Sequence, residues 1–107
     1  MSNARAIARE AFGHFANKDF PSAIRLYREA VELDPGLGLA WNGLSMALAQ
    51  SGDLEAAVEA AEKLVEVEPE DPLSHTNLSR LYQQQGRIED AEKAAAVATQ
   101  LQMKASR

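Results

Sequence analysis

The sequence predicts an all-α domain built as a stack of three antiparallel helix pairs. Three observations carry that reading. Matched residue types recur every 34 positions, the apolar residues inside each unit fall at helical and not strand spacing, and proline, glycine and aspartate punctuate the units at their turns. Pro35 and Pro69 lie 34 residues apart, each after an acidic helix ending, VELDP and VEVEP. Ala23, Ala57 and Ala91 share one step of the period; Phe20, Leu54 and Ile88 share a second, and Leu33, Val67 and Leu101 a third. Tyr27 lines up with Ala61 and Ala95, Ala30 with Leu64 and Ala98, and Gly52 with Gly86, where the first unit has Lys18. A period of 20–50 residues is the mark of a stacked repeat architecture, in which one helix pair cannot bury its apolar face alone.

Taken in order, the first unit predicts helices over 3–17 and 21–33. The second unit is clearest. Leu44, Ala47 and Leu48 make an apolar stripe within 39–50, and Ser51-Gly52-Asp53 interrupts it. Ala57, Val58, Ala61, Leu64 and Val65 make the next stripe within 54–67. Gly52 suits the left-handed conformation that ends a helix, and Asp53 suits the cap of the one that follows. Pro69 stops that helix, and Pro72 starts the next, which runs over 72–85; the last spans 88–104. The units are thus about 4–37, 38–71 and 72–105, within one domain covering 1–107.

Composition excludes several functions. A chain of 107 residues is one ordinary domain. With 46% hydrophobic and 25% charged residues it has the make-up of a folded chain and not of a disordered one. Net charge is −5, against a general nucleic-acid binder, which presents a basic face to phosphates. The absence of cysteine removes disulfides, thiol catalysis and thiolate metal sites. No apolar run reaches the length of a membrane span, and MSNARAIAREAF lacks the apolar centre of a secretory signal. The expectation is a soluble, cytoplasmic helical domain.

These residues resemble the tetratricopeptide repeat (TPR) family. The second unit carries its motif as Trp41, Leu44-Ser45, Leu48, Gly52, Ala57, Ala61, Leu64 and Pro69. The first supplies Ala11, Ala23, Tyr27, Ala30 and Pro35; the third supplies Leu78-Ser79, Tyr82, Gly86, Ala91, Ala95 and Ala98. Glu10 and Met103 depart from the motif's leucine and closing proline. The resemblance implies a right-handed α-solenoid whose first helices line a concave groove, in which such proteins hold an extended peptide or a helix of a partner. Its lining residues here would be Arg5, Arg9, Phe12, Leu39, Asn42, Met46, Gln50, Leu73, Thr76, Asn77, Arg80 and Gln84. Amides can bond a peptide backbone, and arginines can fork onto carboxylates. Some members clamp acidic chaperone tails. The matching positions are Ala8, Phe12, Gly43, Leu73 and Asn77, of which Asn77 alone has a suitable donor, so that clamp is rejected.

Charge is uneven along the chain. Residues 1–28 carry five basic and two acidic groups, 29–72 one basic and eleven acidic, and 73–107 five basic and three acidic. Glu55, Glu59, Glu62 and Glu66 form a stripe read first as a solvated convex face, and second as a dock for a basic partner. His14 and His75 are read as helix-packing or groove-edge residues, and Ser45 and Ser79 as small residues where helices touch. No spacing matches a zinc motif or a phosphate-cradling loop. Neither a cofactor nor catalysis is expected. The function expected is a non-catalytic interaction module, monomeric or weakly dimeric; self-assembly through the open ends is the alternative, and a small-molecule site in the groove a distant third. The end left bare would consist of Ala91, Ala95, Ala98 and Leu101, with Val97.

Overall fold

Capping residues fix where the helices begin. In the computed structural model, which describes residues 3–106, six helices follow one another: α1 (Ala4–Ala16), α2 (Phe20–Leu33), α3 (Gly38–Gln50), α4 (Leu54–Val67), α5 (Pro72–Gln84) and α6 (Ile88–Ala105). Asn3 Oδ1 accepts from the Ala6 amide at 2.8 Å, Asp19 from Ser22 at 3.3 Å, Asp53 from Ala56 at 3.2 Å and Asp71 from Leu73 at 3.0 Å. Each satisfies an amide that has no partner in its own helix. Between the two helices of every unit the chain reverses at a left-handed residue, Lys18 (φ 62°), Gly52 (φ 94°) and Gly86 (φ 79°). The predicted elements stand, with ends moved by one residue at most. None of the helices is long and apolar enough to cross a membrane among the described residues.

The 34-residue period reappears as repeated contacts. Ala23, Ala57 and Ala91 are all fully buried, where the second helix of a unit meets its first. The Ser45 hydroxyl donates to the Ala57 carbonyl at 3.1 Å, and 34 residues on the Ser79 hydroxyl donates to Ala91 at 2.8 Å. Trp41 Nε1 donates to the Pro35 carbonyl at 2.7 Å, and His75 Nε2 meets the Pro69 carbonyl at 2.8 Å in the equivalent place. His75 therefore does the job of a tryptophan, with its proton on Nε2. No buried side-chain nitrogen or oxygen lacks a partner among the described residues. His14, at the other position read as packing, is half-exposed, with Nδ1 3.3 Å from Asp19.

All four glutamates of the stripe are exposed as expected, and two of them also make contacts: Tyr82 donates to Glu62 at 2.6 Å, with the Arg87 guanidinium 4.3 Å above the tyrosine ring, and Lys63 pairs with Glu66 at 3.3 Å. One expectation needs correction. Ala91 and Ala98 do not lie bare at the open end. Both are buried with Ala94, because they face α5 of their own unit. The apolar residues that α6 exposes include Ile88, Ala95, Ala96, Val97, Met103 and part of Leu101. Ala95 occupies the step at which Tyr27 meets the following unit.

Leucine in place of Ala57 would overpack the contact inside the second unit and destabilise the fold by about 1–3 kcal/mol. For a domain of this size a thermal melt should fall by several degrees; an unchanged melt would refute the contact. Burial, and then the Glu62 hydrogen bond and charge, raise the Tyr82 phenol from an ordinary 10.0 to about 12. The fold thus favours the neutral phenol, so this stabilisation is complete below pH 10 and is lost as pH climbs towards 12. Phenolate absorbance in a Tyr27→Phe background should show the raised midpoint, and Glu62→Gln should bring it down.

Candidate binding groove

The 34-residue period sets equivalent steps of α1, α3 and α5 side by side along one face of the stack. Arg5, Leu39 and Leu73 form one row across the three helices. Ala8, Asn42 and Thr76 form a second, Arg9, Gly43 and Asn77 a third, and Phe12, Met46 and Arg80 a fourth. Four large apolar side chains are exposed within these rows: Phe12 at 58%, Leu39 at 46%, Met46 at 37% and Leu73 at 63%.

Six of the predicted residues gather round one hollow of about 450 Å³, namely Arg5, Arg9, Phe12, Leu39, Asn42 and Met46. Its floor is made of residues that the sequence reading did not place in the groove lining, Ala8, Phe15, Tyr27 and Gly43. The hollow exists because Ala8 and Gly43 are small where the third unit has Thr76 and Asn77. Gly43 has a second role. A Cβ built there would fall 2.2 Å from Tyr27 Cζ, so the phenol ring of α2 lies directly against the α3 backbone. Burial there pushes the Tyr27 pKa up. The signal for Ala8 and Gly43 was present in the 34-residue rows, as small residues where the third unit has Thr76 and Asn77.

The other predicted residues are arranged differently. The Asn77 amide donates to Asn42 Oδ1 at 3.1 Å, and Arg80 donates to Asn77 Oδ1 at 3.2 Å, which makes a polar ladder from α3 to α5. Asn77 thus spends a donor and an acceptor inside the fold. Leu73 borders a separate depression of about 250 Å³, shared with Leu39, Asn42 and Asn77 and walled by Glu68 and Asp71. Thr76 donates to the Pro72 carbonyl of its own helix at 3.1 Å. Gln50 and Gln84 are exposed at the far ends of α3 and α5, away from both depressions. Arg5 and Arg9 have no carboxylate at ion-pair distance, and no three His, Cys, Asp or Glu groups come together as metal ligands, among the described residues.

Two overlapping stretches, 14–76 and 48–106, match the tetratricopeptide repeat family profile. The chain belongs to that family. Its fold is the TPR α-solenoid, and solved structures agree. A crystal structure of MamA superposes with a TM-score of 0.92 at 21% identity, over 97% of this chain and 61% of that one. The Sgt2 TPR domain from Aspergillus fumigatus gives 0.85 at 22% identity, over 92% and 66%. The second TPR of Spaghetti (RPAP3), bound to the HSP90 peptide SRMEEVD, gives 0.86 at 15% identity, over 94% and 93%. At these identities the likeness is one of fold, and the chain spans about three fifths of the MamA chain. No curated protein sequence matches it.

Alanine in place of Gly43 would drive the new methyl group into the Tyr27 ring. The ring must leave its site or α2 and α3 must separate, at a cost of about 1–3 kcal/mol. Urea unfolding should show it, and Tyr27→Ala in the same chain should recover part of the loss attributable to Gly43→Ala. Full additivity of the two substitutions would mean that the ring and the glycine do not meet.

Proposed function

We propose that this chain is a non-catalytic protein–protein interaction module, one domain of three repeats, that holds a peptide or helix of a partner in its concave groove. The observation that carries the reading is the exposure of Phe12, Leu39, Met46 and Leu73 together on the first-helix face. Grouped apolar side chains rimmed by polar ones mark surfaces that a partner covers. Around them stand groups that can orient a backbone: the free amide nitrogen of Asn42, the Asn77–Arg80 ladder, and two unpaired arginines. Family membership supports a binding role, and the Spaghetti relative was solved with a peptide. A cysteine-free chain needs no oxidising compartment to fold, which fits a cytoplasmic setting.

Self-assembly through the open end is the second reading, favoured by exposed Val97 and Met103 on α6. Against it stand the like net charges, positive in both the first and last parts of the chain. Salt would screen that repulsion. The protein is therefore proposed as a monomer or weak dimer.

A photo-crosslinking residue at Met46 tests the groove, with one at Glu59 on α4 as the control. Cross-links to a partner should form from position 46. The combined Asn42→Ala, Asn77→Ala and Arg80→Ala variant should lose them while its helical circular dichroism stays unchanged, since each hydrogen bond lost to a partner costs about 1–3 kcal/mol. Cross-links from position 59 alone would move the interface to the convex side.

A further inference from the structure

The hollow between the first and second repeats differs in chemistry from the rest of the groove, and that difference specifies an occupant. Its floor is apolar and its rim is cationic. Arg5 and Arg9 lie one helical turn apart on α1, both exposed and both without a carboxylate partner among the described residues. No acidic side chain lines the hollow, whereas the neighbouring depression at Leu73 carries Glu68 and Asp71. A volume of about 450 Å³ lies within the range of true ligand pockets, and the walls of Phe12, Leu39 and Met46 suit large apolar side chains.

We infer that the hollow takes an internal acidic-apolar segment of a partner protein, with its large apolar side chains in the pocket and flanking Asp or Glu side chains on Arg5 and Arg9. The inference rests on the concave groove being the binding face and adds the chemistry of what binds there. It differs from a clamp on a terminal carboxylate. The positions at which a clamp would need donors are here Ala8, Phe12 and Gly43, and these form the apolar floor and wall. The arginines stand beside them, placed to read side-chain charge next to an apolar anchor. Two arginines on one rim fix the direction in which the segment lies as well as its sign of charge, since the opposite side of the hollow offers Asn42 and Met46 and no cation. A basic segment would meet two unpaired positive charges on entry, and that repulsion rejects it.

The test uses the whole chain and a fluorescein-labelled ten-residue peptide, capped at both ends, with Leu-Phe at its centre and two acidic residues on each side. Fluorescence anisotropy should show saturable binding that weakens steeply with salt. Arg5→Glu with Arg9→Glu should weaken it by about tenfold, and Phe12→Ala with Met46→Ala by a similar factor. Lys93→Glu on α6 should leave it within about twofold, as expected for an exposed charge outside the groove. Circular-dichroism melts of each variant establish that the fold is intact. The inference is overturned if the capped peptide does not bind, if only a free C-terminal carboxylate restores binding, or if a peptide with lysine in place of its acids binds equally well. It is also overturned if the Phe12 and Met46 substitutions abolish a dimer of the chain, since the occupant would then be a second copy. Binding of the lysine peptide with loss on Phe12→Ala and Met46→Ala would remove the acidic ligand and keep the groove. Peptide binding indifferent to both pairs of substitutions would remove the groove as well.

Discussion

The structure depends on how closely the two helices of each unit can approach. In every unit a small residue of the first helix, Ala11, Ser45 or Ser79, and an alanine of the second, Ala23, Ala57 or Ala91, are buried. In the second and third units a serine hydroxyl also bonds the alanine carbonyl opposite. Those bonds matter because a buried hydroxyl without a partner would cost more than a methyl group there. Close approach brings the remaining apolar side chains of the pair to one edge, where they are useless until a second pair covers them. Stacking follows from that. The result is a short rod, 41 × 31 × 21 Å, in place of a sphere, since each unit touches only its neighbours.

Stacking is done by other residues, and they are not identical from junction to junction. Between the first and second units the contact is a ring against a backbone, Tyr27 against Gly43. Between the second and third, Tyr82 reaches from α5 to Glu62 on α4, under the Arg87 guanidinium. At the step equivalent to Tyr82 the second unit has Leu48, and at the step equivalent to Glu62 the first has Arg28. The polar tie of the second junction therefore has no counterpart in the first, where size complementarity between an aromatic ring and a glycine replaces it. Burial raises the pKa of both phenols, and only at the second junction do the hydrogen bond and charge of a carboxylate raise it further.

The helices, their caps and the period were legible in the sequence because each is a local property or a sum of local properties. Asp53 and Pro72 mark helix starts wherever they meet a helical stripe, and Gly52 marks a reversal by its freedom at positive φ. Lys18 is the exception. It takes the left-handed conformation without being glycine, at a cost of about 1 kcal/mol, and its alignment with Gly52 and Gly86 alone betrays it. The exposed rows of the groove were legible from the same register. Its depth was not. A hollow is a difference between a side chain and the space around it, and Gly43 reveals nothing of Tyr27 until α2 is packed on α3. The Asn42–Asn77 bond likewise joins residues 35 apart, whose facing amides depend on how far one unit is rotated against the next. Glu62 is exposed as read, but its hydrogen bond to Tyr82 was hidden for a similar reason, since that tyrosine comes from another unit.

Residues that keep the 34-residue period and residues that break it divide the labour. Ala23, Ala57 and Ala91 keep it and hold each helix pair together, while the indole of Trp41 and the imidazole of His75 meet equivalent carbonyls with different rings. Along the outward rows the period fails: Arg5 is followed by Leu39 and Leu73, Arg9 by Gly43 and Asn77, Phe12 by Met46 and Arg80. Folding constrains these positions unevenly: Gly43 must stay small against the Tyr27 ring and Asn77 bonds Asn42 across units, whereas Arg5, Arg9, Phe12 and Leu73 are exposed. Their variation converts a repeated scaffold into a surface with distinct places along it, cationic and hollow at the first repeat, amide-lined at the second, and bordered by carboxylates where the third begins. A symmetric groove would let a bound segment slide by one repeat at no cost. Here a one-repeat slide would take an apolar anchor out of the Ala8–Gly43 hollow and set it on the Asn42–Asn77 ladder, leaving polar groups without water or partner. For a segment bound in the proposed groove, the register would therefore be set by the positions at which the sequence departs from its own repeat.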